Sequence, residues 1–111
     1  MQGLADVYQQ MLIPFESKEA AELNEKIFEA IYFGAVTESV EIAARDGPFP
    51  SYAGSPTSKG MLQFDLWNHT PKACGFDWSA VKQRMAEVGI RNSLLLAPMP
   101  TASTSQILGN N

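Results

Sequence analysis

The spacing of apolar side chains predicts a mainly helical chain. Apolar residues recur at helical spacing over residues 2–12, and Pro14 should end this first element. Ser17 is a suitable N-cap for a helix from about residue 18 to residue 45, which Gly47 and the proline after it should end. We therefore expect two consecutive helices, the second unusually long, in the first half of the chain.

A further helix is predicted from Trp78 to Val88, because its apolar residues fall on one stripe. Asp77 can cap its start, and Gly89 is placed to close its end. Between the long helix and this one, residues 47–60 indicate a loop and residues 61–67 a short element of uncertain type.

The middle of the long helix, residues 30–36, carries no charge on any face. A helix that is apolar all round needs neighbours on every side. A chain of 111 residues with few other elements can hardly surround it. We therefore expect this chain to be part of a larger domain.

Near the C-terminus, Leu94–Ala97 form a short unbroken apolar run between Asn92 and Pro98. Such a run is typical of a strand that is covered on both faces, as in a parallel sheet. A helix followed by a buried strand and a new helix predicts the α/β class.

The turn after this predicted strand has the composition of an anion site. Ligands of parallel sheets bind beyond the carboxyl ends of the strands. The amides of Ala102, Ser103 and Thr104 would open the next helix without partners in that helix, and nearby hydroxyls add further donors. The alternative is a capping box, in which Ser103 and Gln106 satisfy the helix end and bind nothing.

The other residues with chemical potential have simpler interpretations. His69 could be a base and Cys74 a nucleophile, but a lone loop histidine and a cysteine without a basic neighbour are more often structural. Trp67 and Trp78 could stack on a base, although core packing is the default. Three acidic residues of the long helix are expected on its solvent-exposed side, namely Glu38, Glu41 and Asp46.

Composition excludes several classes of protein. The formal net charge is −4 without a basic cluster, which argues against nucleic-acid binding. One cysteine excludes an intrachain disulfide, and no metal-ligand pattern is present. No apolar run approaches the roughly 18 residues of a membrane span, and the N-terminus does not resemble a secretory signal.

Several segments together resemble one family, the catalytic (large, alpha) subunit of class I ribonucleoside-diphosphate reductase of the eukaryotic type. The resemblance runs in one order along the whole chain. It departs from the family pattern around residues 72–76, which gives no support to a role for Cys74. The matching segments are residues 2–6, 14–17, 54–56, 58–60, 89–94, 97–104 and 106–111. The most specific is Pro-Met-Pro-Thr-Ala-Ser-Thr at residues 98–104 with the Gly-Asn-Asn that follows.

This resemblance implies that the chain is part of a ten-stranded α/β barrel. Residues 1–111 would then be an internal fragment that forms only part of this domain. It also implies that the loop Pro100, Thr101, Ala102, Ser103 and Thr104 holds the diphosphate of a ribonucleoside diphosphate. The family reduces such substrates with a cysteine thiyl radical and a cysteine pair. Neither the Asn-x-Cys-x-Glu radical loop nor a second cysteine occurs here, so we expect no catalytic residue, cofactor or metal ligand in this chain.

For the complete enzyme, the resemblance implies a small (beta) subunit with a metal-radical centre, a large-subunit homodimer, ATP and deoxynucleotide effectors, and thioredoxin or glutaredoxin as reductant. It implies a cytoplasmic location, with neither nucleic acid nor membrane as a partner. The alternative is a small non-catalytic protein that binds phosphate or a nucleotide, or that interacts with the reductase subunits.

Overall fold

The computed structural model describes residues 1–110, which contain helices, turns and irregular segments. The chain divides into two compact units. The first consists of residues 1–28 with the residues from 97 onward, and the second of residues 29–96. No helix in the described range is long and apolar enough to cross a membrane. The helices are α1 (Leu4–Gln10), α2 (Lys18–Asp46), α3 (Gln63–Leu66), α4 (Trp78–Val88) and α5 (Thr104–Leu108), with a 3-10 turn at Thr57–Lys59.

The two long helices begin where their capping residues predicted. Ser17 Oγ accepts a hydrogen bond of 3.1 Å from the amide of Ala20 at the start of α2. Asp77 Oδ1 accepts one of 3.0 Å from the amide of Ala80 at the start of α4. Each cap satisfies an amide that has no partner within its own helix, so both predicted starts are confirmed.

The core of the second unit lies where α2, α3 and α4 meet. The loop that follows α2 adds Phe49 and Tyr52 at the edge of this core, so the loop has apolar groups to bury. Met85 and Val36 are fully buried, and burying side chains of this size contributes about 1.5–3 kcal/mol each. The buried residues of the core are Val36, Val40, Leu62, Phe64, Trp78, Val81, Met85 and Ile90.

The apolar middle of α2 is covered on one side only within the second unit. Val36 is fully buried, whereas Ile31 is 38% exposed and Ala30 is exposed. Apart from Gly34 itself, its chain neighbours and the backbone of its own helix, no atom lies within 4 Å of the position that a Cβ would take at Gly34. The apolar surface on that side is therefore not covered by this unit.

The predicted strand Leu94–Ala97 is wrong for the described structure. Residues 94–100 have no regular secondary structure, and no strand occurs anywhere in residues 1–110. The segment is also not buried on both faces, since Leu94 is 85% exposed and Leu96 is 41% exposed. A strand requires a neighbouring strand for its N–H and C=O groups, and residues 1–110 supply none. The α/β class is accordingly not visible in this range, which is helix-rich.

In the first unit, Tyr8 anchors α1 to the start of α2. Its side chain is buried, and its hydroxyl donates a hydrogen bond of 2.8 Å to the carbonyl oxygen of Ala20. The rings of Tyr8 and Phe15 meet edge to face at 5.8 Å between centroids. Tyr8 thus contacts both the turn between the two helices and the first residues of α2.

Candidate functional site

The predicted anion-binding loop is an accessible turn at the start of a short helix. Pro100 is exposed in an irregular segment, Ala102 and Ser103 form an exposed turn, and α5 begins at Thr104. The carbonyl oxygen of Thr101 accepts a hydrogen bond of 2.9 Å from the amide of Ser105, which holds the turn closed. The hydroxyls of the half-buried Thr101 and Thr104 flank the exposed Ser103.

The capping-box alternative is wrong, because the Ser103 side chain accepts no hydrogen bond at the start of α5. Ser103 itself has helical backbone angles, φ −94° and ψ −40°, rather than the extended geometry of an N-cap residue. The amides of residues 102–104 donate to no other described residue. Three neighbouring N–H groups and three hydroxyls therefore remain as donors for an acceptor from outside this range.

Residues near the N-terminus complete the surroundings of this loop. The side-chain amide Nε2 of Gln2 donates a hydrogen bond to Thr104 Oγ1. At the other end of α5, Asn110 Nδ2 donates to Asp6 Oδ2 at 3.4 Å. The first unit thus holds both ends of α5 through side chains from the start of the chain.

The other predicted candidates belong to the second unit, whereas the loop belongs to the first. His69 is exposed, and its backbone amide donates to the carbonyl oxygen of Phe64 at 2.9 Å. Core packing, expected for both tryptophans, is confirmed for Trp78, which is buried in the core, and is wrong for Trp67, which is 70% exposed. In the described range, no three His, Cys, Asp or Glu side chains gather into a group that could hold a metal ion.

Glu29 is a buried carboxylate that the sequence interpretation missed. It is 7% exposed, its Oε1 accepts from the indole Nε1 of Trp78 at 3.1 Å, and its Oε2 accepts from the amide of Cys74 at 3.0 Å. The available signal was its spacing, because Glu29 lies three and seven residues before Tyr32 and Val36 on the buried stripe of α2. Glu29 therefore has a structural role. Its hydrogen bond with Cys74 involves the backbone amide and not the thiol.

The three acidic residues assigned to the solvated side of α2 are all exposed, as predicted. Glu41 Oε1 accepts from Arg84 Nε at 3.1 Å, and Asp46 pairs with Arg45 at 2.8 Å. The hydrogen bond from Arg45 lowers the pKa of the Asp46 carboxyl, and the same bond raises the pKa of the arginine. These pairs are surface ion pairs of small energetic weight, and they do not form a site.

An open cavity of about 350 Å³ lies between α1 and the start of α2. Its lining is mainly apolar and includes Leu4, Phe15 and Ala20. The one hydroxyl on α1 that faces it, that of Tyr8, already donates to Ala20. None of the loop residues 100–104 lines this cavity, so it does not extend the anion site.

Comparison with known proteins identifies relatives over the whole chain. Residues 1–111 match the family model described as ribonucleotide reductase, barrel domain. The chain is 59% identical over 111 residues to the ribonucleoside-diphosphate reductase large subunit of Danio rerio, 55% identical to the large chain of Cryptosporidium parvum, and 56% identical to the large subunit of Arabidopsis thaliana. Each match covers 100% of this chain and 14% of the relative.

Proposed function

This chain belongs to the ribonucleotide reductase barrel-domain family, and on that basis we propose that it is part of a ribonucleoside-diphosphate reductase large subunit. Within that subunit, the loop Pro100–Thr104 binds the diphosphate of the substrate. The observation that carries this assignment is the exposed turn with three unpaired amides and three hydroxyls. A diphosphate is a multivalent acceptor, which such a set of donors suits.

The chain's part in the reaction is to bind and orient the substrate, not to transform it. Its one cysteine cannot supply both a radical and a reducing pair. The complete subunit would reduce ribonucleoside diphosphates to deoxyribonucleoside diphosphates in the cytoplasm, on a ten-stranded α/β barrel. It would act with a radical-bearing small subunit, a second large subunit, nucleotide effectors, and thioredoxin or glutaredoxin.

The exposed apolar side of α2 supports a place in a larger protein. Ile31 is 38% exposed, and a Cβ at Gly34 would meet no other part of the structure within 4 Å beyond the adjacent backbone of its own helix. Both residues lie in a stretch without a single charge. A free-standing small binding protein with this surface would tend to associate. This feature disfavours the alternative of an independent phosphate-binding or interaction protein.

The loop assignment can be tested in a chimeric enzyme. The matching 111 residues of the Danio rerio large subunit are exchanged for this chain, and the chimera is assayed with small subunit and reductant. Changing Ser103 and Thr104 together to Ala removes two donors to a charged ligand, so KM for cytidine diphosphate should rise roughly tenfold or more. The exposed Ser51, changed to Ala, is the control and should leave KM unchanged.

An unchanged KM in the double variant would remove the loop's assigned role. The 111-residue chain by itself, given small subunit and reductant, should not turn over cytidine diphosphate. If it did, the proposal that this chain binds the substrate but does not reduce it would be wrong.

A further inference from the structure

The hydrogen bond between Gln2 and Thr104 joins the start of the chain to the predicted binding loop. Gln2 Nε2 donates to Thr104 Oγ1 across 102 positions of sequence. The other amide atom, Gln2 Oε1, is fully buried and has no hydrogen-bond partner among the described residues. Burying an unpaired carbonyl oxygen is costly. The hydrogen bond to Thr104 is therefore the one polar contact that the Gln2 side chain makes among the described residues.

The backbone conformation at Gly3, next to Gln2, lets the N-terminal segment lie close to the end of the chain. Gly3 has φ +87°, a conformation that side-chain-bearing residues rarely adopt. A Cβ at Gly3 would lie 3.1 Å from Asn110 Nδ2, the same atom that donates to Asp6. The N-terminal segment therefore lies against α5 at two points, and Gln2 is the one that meets the loop.

The contact determines what the Thr104 hydroxyl can still do. A threonine hydroxyl has one proton to donate and two lone pairs that accept. Because Oγ1 accepts from Gln2, its own proton is not used in that bond, and no other described residue is a partner of this hydroxyl. The Thr104 hydroxyl can therefore still donate its proton in a hydrogen bond, and a phosphate oxygen is a suitable acceptor for it.

We propose that Gln2 is a positioning residue, which orients the Thr104 hydroxyl as a donor toward the substrate diphosphate. Gln2 does not contact the substrate itself. This proposal rests on the proposed function of the loop. It assigns part of the substrate affinity to a side chain 102 positions before Thr104.

A double-mutant cycle in the chimeric reductase tests this proposal. Gln2→Met keeps the length of the side chain and removes its donor, and Thr104→Val keeps the shape and removes the hydroxyl. We expect Thr104→Val to raise KM for cytidine diphosphate roughly tenfold and Gln2→Met to raise it roughly fivefold, with kcat changed by less than about twofold. In the Thr104→Val background, Gln2→Met should change KM by less than about twofold, because the hydroxyl that it orients is gone.

The matched control is Gln9→Met, the same substitution at an exposed position of α1, which should leave KM unchanged. If Gln2→Met abolishes folding, Gln2→Asn takes its place, since it withdraws the amide by one methylene and keeps its polarity. The same loss of effect in the Thr104→Val background is then expected.

The outcomes separate the two proposals. If Thr104→Val raises KM and Gln2→Met does not, the loop binds substrate and the assignment of Gln2 is wrong. Equal effects of Gln2→Met in both backgrounds would also overturn it, because a merely structural role acts without the hydroxyl. If neither Thr104→Val nor the double loop variant changes KM, the proposed function fails first and the assignment of Gln2 fails with it.

Discussion

The indole of Trp78 donates a hydrogen bond of 3.1 Å to the carboxylate of Glu29, 49 positions earlier in the chain. The second oxygen of the same carboxylate accepts from the amide of Cys74 at 3.0 Å. One buried side chain of α2 therefore satisfies two donors from the segment that enters α4. This pairing joins the two longest helices through polar atoms within a mainly apolar core.

Removal of this carboxylate should be strongly destabilising. Glu29→Ala leaves the Trp78 indole and the Cys74 amide without acceptors, and the free energy of unfolding should fall by about 2–4 kcal/mol. Glu29→Gln, which retains one acceptor oxygen, should lose roughly half as much. Denaturant titration of the 111-residue chain, followed by tryptophan fluorescence, measures both. Glu38→Ala at an exposed position of α2 is the control, and an equal loss there would refute the special role of Glu29.

Ser39 forms a second polar junction in the core. Its side chain is 2% exposed, its Oγ donates to Asn92 Oδ1 at 2.8 Å, and the amide of Asn92 donates back to it at 3.0 Å. Ser39→Ala should lower the free energy of unfolding by about 1 kcal/mol, because water can partly replace the lost contacts at the exposed Asn92. Ser79→Ala, an exposed change in α4, should stay within about 0.5 kcal/mol of the unmodified chain in the same titration.

Two glycines should respond to alanine in opposite directions. Gly89 has φ +81°, and a Cβ there would lie 2.8 Å from Pro48 Cβ, so Gly89→Ala should destabilise the second unit by more than about 1 kcal/mol. Gly34 lies in the middle of α2 with open space around it, so Gly34→Ala should stabilise the helix by about 0.5–1 kcal/mol. Thermal melts of the two variants should therefore move in opposite directions. A higher melting temperature for Gly89→Ala would contradict the close approach at Gly89, and a lower one for Gly34→Ala would contradict the open space at Gly34.

Tyr32 should make folding sensitive to alkaline pH. Burial raises the pKa of its phenol above the ordinary value of 10.0, the nearby Asp65 carboxylate adds to this, and the hydrogen bond from the Gln63 amide opposes it. The folded state thus favours the protonated phenol. This contribution to stability is present below pH 10 and is lost as the pH rises through the folded-state pKa.

The titration of Tyr32 is read from the ultraviolet absorbance of the phenolate. The difference between the unmodified chain and Tyr32→Phe isolates this one group, and its midpoint should lie above that of a tyrosine in the unfolded chain. A midpoint at or below the unfolded value would contradict the burial of the hydroxyl beside Gln63.

Local chemistry made the helices predictable. Ser17 and Asp77 were assigned as caps from residue type alone. Each accepts a hydrogen bond from the backbone amide three residues later in the chain. Such contacts join neighbours in the chain, so their geometry follows from the helix itself and needs no knowledge of the fold. The apolar stripe of α4 was predictable for the same reason, because helical periodicity places its members on one face.

The predicted strand at Leu94–Ala97 failed for the complementary reason. Its apolar run is a property of the sequence, but strand structure also depends on a second strand whose backbone can pair with it, and residues 1–110 contain none. The loop that follows was correctly placed before a helix. Its capping alternative depended on extended backbone angles at Ser103, which the sequence could not reveal.

By itself, the sequence determined the family of this chain, the extents and caps of its long helices, and the concentration of hydroxyls before α5. Only the tertiary structure decided that Glu29 is buried between Trp78 and Cys74, and that Gln2 holds the hydroxyl of Thr104. The physical reason is distance along the chain. Contacts within one turn of helix follow from residue type, while a bond across a hundred positions exists only after the chain has brought its two ends together.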